Sequence, residues 1–134
     1  MKVASQTALR VECRFRQGDR TAPRAARAAV ADLAGLSDDV RRDLVIVVSE
    51  LVANAVRYAP LVEGGSVWLV LQVRPGYVHV EVHDPGPGFD PTPDASREGG
   101  LGLVTVDRVC RAWGIKGGER TTVWCDLDAV RPDG

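Results

Sequence analysis

Tyr77-Val78-His79-Val80-Glu81-Val82-His83-Asp84-Pro85-Gly86-Pro87-Gly88 is the stretch on which the fold turns. Val78, Val80 and Val82 alternate with His79, Glu81 and His83, the period-2 pattern of a strand with one buried face. Asp84 shares the parity of the valines, so a carboxylate ends the apolar side. Burying a carboxylate is costly unless something donates hydrogen bonds to it; the donor is either the chain itself, in a turn or cap, or a ligand amine such as that of adenine. Residues 85 to 100 then hold four prolines and four glycines, a composition that supports no regular element and reads as a long loop, which in a small domain usually means function or disorder. His79 and His83 stand on the other parity, about 13 Å apart at roughly 3.3 Å per residue. They are expected to face solvent, too far apart to share a metal or to act together as a relayed acceptor.

Working outward, Pro75-Gly76 supplies a turn and Ser66 to Val73 the hairpin partner of this strand. Further upstream, Ala8 to Phe15 alternates as a half-buried strand, and Thr21 with Pro23 starts a helix over Arg24 to Leu33 that Gly35 ends. Ser37, Asp38 and Asp39 suit the start of a second, longer helix running from Val40 to about Ala59 before Pro60. Downstream, Leu101 to Trp113 reads as helix, and a Gly117-Gly118 turn joins a short strand to a last one over Thr121 to Leu127.

The chain has 134 residues, 45% of them hydrophobic, which suits one domain with a real core. Its net charge of −1 advertises no polyanion-binding surface, so direct nucleic-acid binding is not expected. The longest apolar runs fall far short of the about 20 residues of a membrane span, and the first residues lack the apolar core of a signal peptide; a cytoplasmic protein is expected. Cys13, Cys110 and Cys125 are an odd, scattered set that suits neither a disulfide framework nor a zinc knuckle. Near-neutrality hides an asymmetry: residues 1–42 carry 9 basic and 5 acidic side chains, residues 43–134 carry 8 and 13.

On the long helix, at about 100° per residue, Val45, Val48, Val52, Ala55 and Ala59 share one face, which Val40, Leu44, Val47 and Leu51 widen. Asp43, Glu50, Asn54 and Arg57 lie within roughly 60° of one another on the remaining side, with Glu50 and Asn54 adjacent at i and i+4. Alone, that stripe reads as a solvated face. A carboxylate one turn from a carboxamide is also what a Mg²⁺ and phosphate site needs. Glu98-Gly99-Gly100-Leu101-Gly102-Leu103 opens a helix, where exposed amides attract phosphate and glycines admit a ligand close to the backbone. No GK[ST] triplet occurs, so a Walker A loop is excluded, and the glycine spacing does not fit a dinucleotide-binding loop.

Taken together, Glu50-Leu51-Val52-Ala53-Asn54-Ala55-Val56-Arg57-Tyr58 resembles the N box, Asp84-Pro85-Gly86-Pro87-Gly88 the DxGxG box and Gly99-Gly100-Leu101-Gly102-Leu103 the second glycine box of the GHKL superfamily, the Bergerat fold shared by gyrase, histidine kinases and MutL. The resemblance is strongest to its branch of small anti-sigma-factor serine/threonine kinases, and Thr121-Thr122-Val123-Trp124 is similar to that branch's closing strand. It covers about residues 7–127, making 1–134 a single ATP-binding domain.

This resemblance implies an α+β two-layer sandwich, with a mixed, mostly antiparallel sheet covered on one face by about three helices. It implies ATP and Mg²⁺ as ligands. Asn54 would hold Mg²⁺, Glu50 would be the catalytic base, and Asp84, with Thr121 beside it, would receive the adenine amine. Gly86 and Gly88 would shape the adenine pocket, while Gly99, Gly100, Leu101, Gly102 and Leu103 would hold the phosphates under a lid made of residues 89–99. Gly99 stands where this branch often has a basic residue, a charge Arg57 is placed to supply; Arg120 stands where glycine usually precedes the threonine. The implied activity is that of a transcription-regulating kinase phosphorylating a STAS-type anti-anti-sigma partner, the alternative being a non-catalytic nucleotide-binding module that sequesters its partner. Sigma factor or STAS protein would dock on Arg20, Arg24 and Arg27, and a homodimer is left open.

Overall fold

The computed structural model describes residues 9–58, 63–85 and 100–129. In chain order they form β1 (Leu9–Arg16), α1 (Ala22–Val30), α2 (Asp38–Tyr58), β2 (Ser66–Arg74), β3 (Tyr77–Asp84), α3 (Gly100–Val109), β4 (Ala112–Lys116) and β5 (Thr121–Asp128). The strands make one sheet in the order β1-β2-β3-β5-β4. The expectation was a mixed, mostly antiparallel sheet; every pairing among the described residues is antiparallel. One sheet face, carrying Val67, Leu69, Leu71, Val78, Val80, Val82, Val123, Cys125 and Leu127, shares a single core with the helices. The result is the expected two-layer α+β sandwich.

The centre of the helical layer is α2. Its segment Leu44-Val45-Ile46-Val47-Val48 is rich in β-branched residues, which cost a helix about 0.5 kcal/mol each relative to alanine. Period decides the matter: Val40, Leu44, Val47, Val48, Leu51, Val52, Ala55 and Val56 are all buried, and each buried valine or leucine contributes about 1.5–3 kcal/mol. Burial therefore outweighs propensity several-fold. Val45, expected on the buried face, is only partly buried, and the neighbouring Ile46 is 44% exposed. The Ser37 hydroxyl accepts from the Val40 amide at 3.3 Å, Asp38 and Asp39 occupy the first turn, and the Ser37 amide donates to the Ala129 carbonyl beyond β5. The helix is described to Tyr58; Ala59 lies outside the described residues.

Three of the boundaries that differ from expectation have a visible local cause. Helix α1 begins at Ala22 because Asp19 organises the preceding turn, accepting from both the amide (2.9 Å) and the hydroxyl (2.7 Å) of Thr21. It ends at Val30, not Leu33: the Leu33 amide turns back to the Val30 carbonyl, and the Arg41 guanidinium of α2 takes up the carbonyls of Leu33 and Leu36. Helix α3 stops at Val109 rather than Trp113. The Cys110 amide makes the last helical bond, to Val106, and the Arg111 amide already donates to Asp126 in β5. Trp113 is therefore a strand residue, opposite Cys125, and its indole N–H donates to Asp107 of α3 at 2.8 Å.

Candidate functional site

The register of the two central strands brings the first pair of candidate residues together. Asp84 ends β3, Thr121 begins β5, and the two are cross-strand partners. Both are buried, Asp84 at 4% exposure and Thr121 at 0%. The alternation that buries Val78, Val80 and Val82 carries this polar pair onto the same side, at the end of β3 that precedes the glycine-rich stretch of the sequence. A carboxylate and a hydroxyl side by side on the core face form an acceptor set suited to an exocyclic amine.

Helix α2 supplies the second group. Glu50 and Asn54 are half-buried and Arg57 is exposed, so the expected stripe borders the core rather than pointing fully into water. The same helix packs against β3 and against α3. Hard oxygen donors such as the Asn54 amide and the Glu50 carboxylate suit Mg²⁺. Asp43, in the same stripe, is also half-buried.

The third group is the start of α3. Gly100, Leu101 and Gly102 form its first turn, and the first amides of a ten-residue helix have no intrahelical acceptors, which suits a phosphate. Leu103 is 3% exposed and belongs to the core with Val106. Its side chain anchors the helix, and what it can offer a ligand is its backbone amide. Gly86, Gly88, Gly99 and the 89–99 lid lie outside the described residues.

Arg24 and Arg27 on α1 and Arg20 in the turn before it are exposed and make no ion pair among the described residues. A shallow groove lined by Ala31, Asp38, Arg41, Arg42, Val45 and Ile46 lies between α1 and the first half of α2. It is formed at the opposite half of α2 from Glu50 and Asn54. No described helix is long and apolar enough to cross a membrane, and no three described His, Cys, Asp or Glu side chains are placed to hold a metal ion.

The outer face of the sheet corrects one expectation. His79 and His83 are half-buried and act as one unit, because Glu81 between them bonds both rings. The signal was present in the His-x-Glu-x-His alternation, but the partners that complete it, Asp126 and Thr122, come from β5.

The family described as Histidine kinase-like ATPase domain matches residues 17–126, a span that contains all of the candidate site residues. No curated protein matches the chain.

Proposed function

The chain belongs to the histidine kinase-like ATPase domain family, whose shared property is ATP binding, and from that premise we propose that it is a cytoplasmic anti-sigma-type regulator, a serine/threonine kinase acting on a STAS-type anti-anti-sigma protein. The observation that carries this reading is the buried Asp84–Thr121 rung, directly before the glycine-rich stretch of the sequence. The Asp84 carboxylate receives the adenine amine, with the Thr121 hydroxyl beside it. The first-turn amides of α3 receive phosphate oxygens, and Arg57 adds positive charge.

Asn54 is the residue to hold Mg²⁺, which when bound neutralises phosphate charge. Phosphoryl transfer needs positioning and charge neutralisation more than covalent help. Glu50 accepts the proton of a partner serine or threonine hydroxyl as its oxygen bonds the γ-phosphorus; the bond from that phosphorus to the β–γ bridging oxygen breaks, and ADP leaves. Arg20, Arg24 and Arg27 dock acidic side chains of the partner by charge-assisted, bidentate hydrogen bonds.

The direct test mixes stoichiometric protein with ATP and a STAS-domain partner and looks for phosphoserine or phosphothreonine. Its appearance is expected; its absence, with ATP binding retained, overturns the kinase reading in favour of a sequestering module. Glu50→Ala should keep ATP affinity and lose transfer on the order of 10²–10⁴-fold, the usual contribution of a positioned base. Equal loss of both would make Glu50 a structural residue.

A further inference from the structure

Five side chains on the outer face of β3 and β5 form an unbroken hydrogen-bonded row: Asp126, His79, Glu81, His83 and Thr122. His79 Nδ1 lies 2.6 Å from Asp126 Oδ1, and its Nε2 lies 2.8 Å from Glu81 Oε2. Glu81 Oε1 is 2.9 Å from His83 Nε2, and His83 Nδ1 is 2.8 Å from the Thr122 hydroxyl. The two histidines differ in what their partners demand. A neutral imidazole has one N–H and one lone pair; His83 fits that state, donating from Nε2 to Glu81 and accepting from Thr122 at Nδ1. His79 has a carboxylate at each nitrogen, so a neutral ring would set its lone pair against a carboxylate oxygen. Both contacts are hydrogen bonds only if one more proton is present. Imidazole, at about 6.5, is a stronger base than a carboxylate, at about 4, so that proton belongs on the ring.

We propose that His79 is a proton-gated clamp: an imidazolium held between Asp126 and Glu81 that ties β5 to β3 while it is protonated and loosens that tie when it loses its proton. The setting supports the charge. The His79 ring stacks on Trp124, with centroids 6.1 Å apart and planes at 28°, and Trp124 in turn lies over Gly114 of β4. On β2 the register partner of His79 is Gln72, which accepts from Arg74 at 2.8 Å. The cations of this face have other stations: Arg14 and Arg120 sit over Trp68, which packs against His83, Arg111 pairs with Asp128 and covers Tyr77, and Arg10 pairs with Glu12. Lys116 ends β4 at an exposed position. Burial of His79 pulls its pKa down, but the hydrogen bonds and charges of Asp126 and Glu81 reverse this and leave it above the ordinary 6.5. Burial likewise pushes Glu81 up, and the two histidines more than offset it, holding Glu81 below its ordinary value and hence ionised.

Because the folded pKa is raised, the clamp's stabilisation is complete below pH 6.5 and is lost as pH rises through the folded midpoint. The strands it ties are those that carry Asp84 and Thr121, and the His83–Thr122 rung directly precedes theirs.

Ring-nitrogen NMR of the wild-type protein tests the clamp, with His79→Gln and His83→Gln each deleting its own signals for assignment. At pH 6.5 His79 should show both nitrogens protonated and titrate with a midpoint above 6.5, and Asp126→Asn should lower that midpoint. Between pH 6.5 and pH 9 the wild-type melting temperature should fall relative to that of His79→Gln. A singly protonated His79 at pH 6.5, a midpoint unmoved by Asp126→Asn, or a constant melting difference across the range would each overturn the proposal. The wild-type NMR result decides it even where a variant does not fold.

Discussion

Strand β3 presents two faces built from alternating residues of one eight-residue segment, and they solve the problem of buried polarity in opposite ways. The inner face, Val78-Val80-Val82, is apolar until its last position, where Asp84 and Thr121 are set into the core side by side. The outer face, His79-Glu81-His83, is polar throughout, and its groups are satisfied by one another and by β5 under the cover of Trp68 and Trp124. One face concentrates its polarity at the last position of the strand; the other closes its polarity into a row. A candidate ligand site and a hydrogen-bonded network thus share a strand without sharing a side chain.

The sharpest way to break this contrast is to empty the inner face. Leu71, fully buried on β2 and opposite Val80, should cost about 2–5 kcal/mol as Leu71→Ala, read by urea denaturation. Gln72→Ala, one residue along and facing out, should cost well under half as much. If the two losses are equal, the faces are not energetically distinct. Next in size is the polar end of the same face. Asp84→Asn should leave the melting temperature close to wild type while weakening ATP binding about 10- to 150-fold, the 1.5–3 kcal/mol of a hydrogen bond to a charged group. Unchanged affinity by calorimetry would remove Asp84 from the nucleotide site, and a large stability loss would make it part of the structural network instead.

How far the sequence disclosed this division depended on the range of the interaction. The parity of Val78, Val80, Val82 and Asp84, and that of Thr121 with Val123, Cys125 and Leu127, is local and was legible, as was the i, i+4 placement of Glu50 and Asn54. What failed was non-local. Val106, Val109 and Trp113 fit a helical repeat at i, i+3 and i+7, and only the bond from Arg111 to Asp126 shows that the chain has already joined the sheet. Leu33 and Leu36 keep the apolar period of α1 after its backbone has turned, because the Arg41 side chain from α2 holds the connection. The outer row needed the β3–β5 register, which sets Asp126 opposite His79 and Thr122 opposite His83; neither segment contains that information alone.

The smallest expected effect probes how the outer face is kept covered. Gly114, on edge strand β4, lies opposite Trp124, and a Cβ built there would come within 2.8 Å of Trp124 Nε1 and 3.1 Å of Cε2 and Cζ2. The neighbour is a side chain, so it can give way, but the same indole stacks on His79. Gly114→Ala therefore has to lift the ring from the edge strand or slide it along the histidine, and an overpacked contact of this kind costs about 1–3 kcal/mol, with the lower end expected because the obstructing atoms belong to a side chain and not to backbone. Trp124→Phe removes the nitrogen and narrows the ring. In the double variant the two losses should combine to less than their sum, measured as a double-mutant cycle by thermal unfolding. Strict additivity would mean that Gly114 is tolerated by the strand for reasons unrelated to Trp124, and that the cover over His79 does not depend on the edge strand at all.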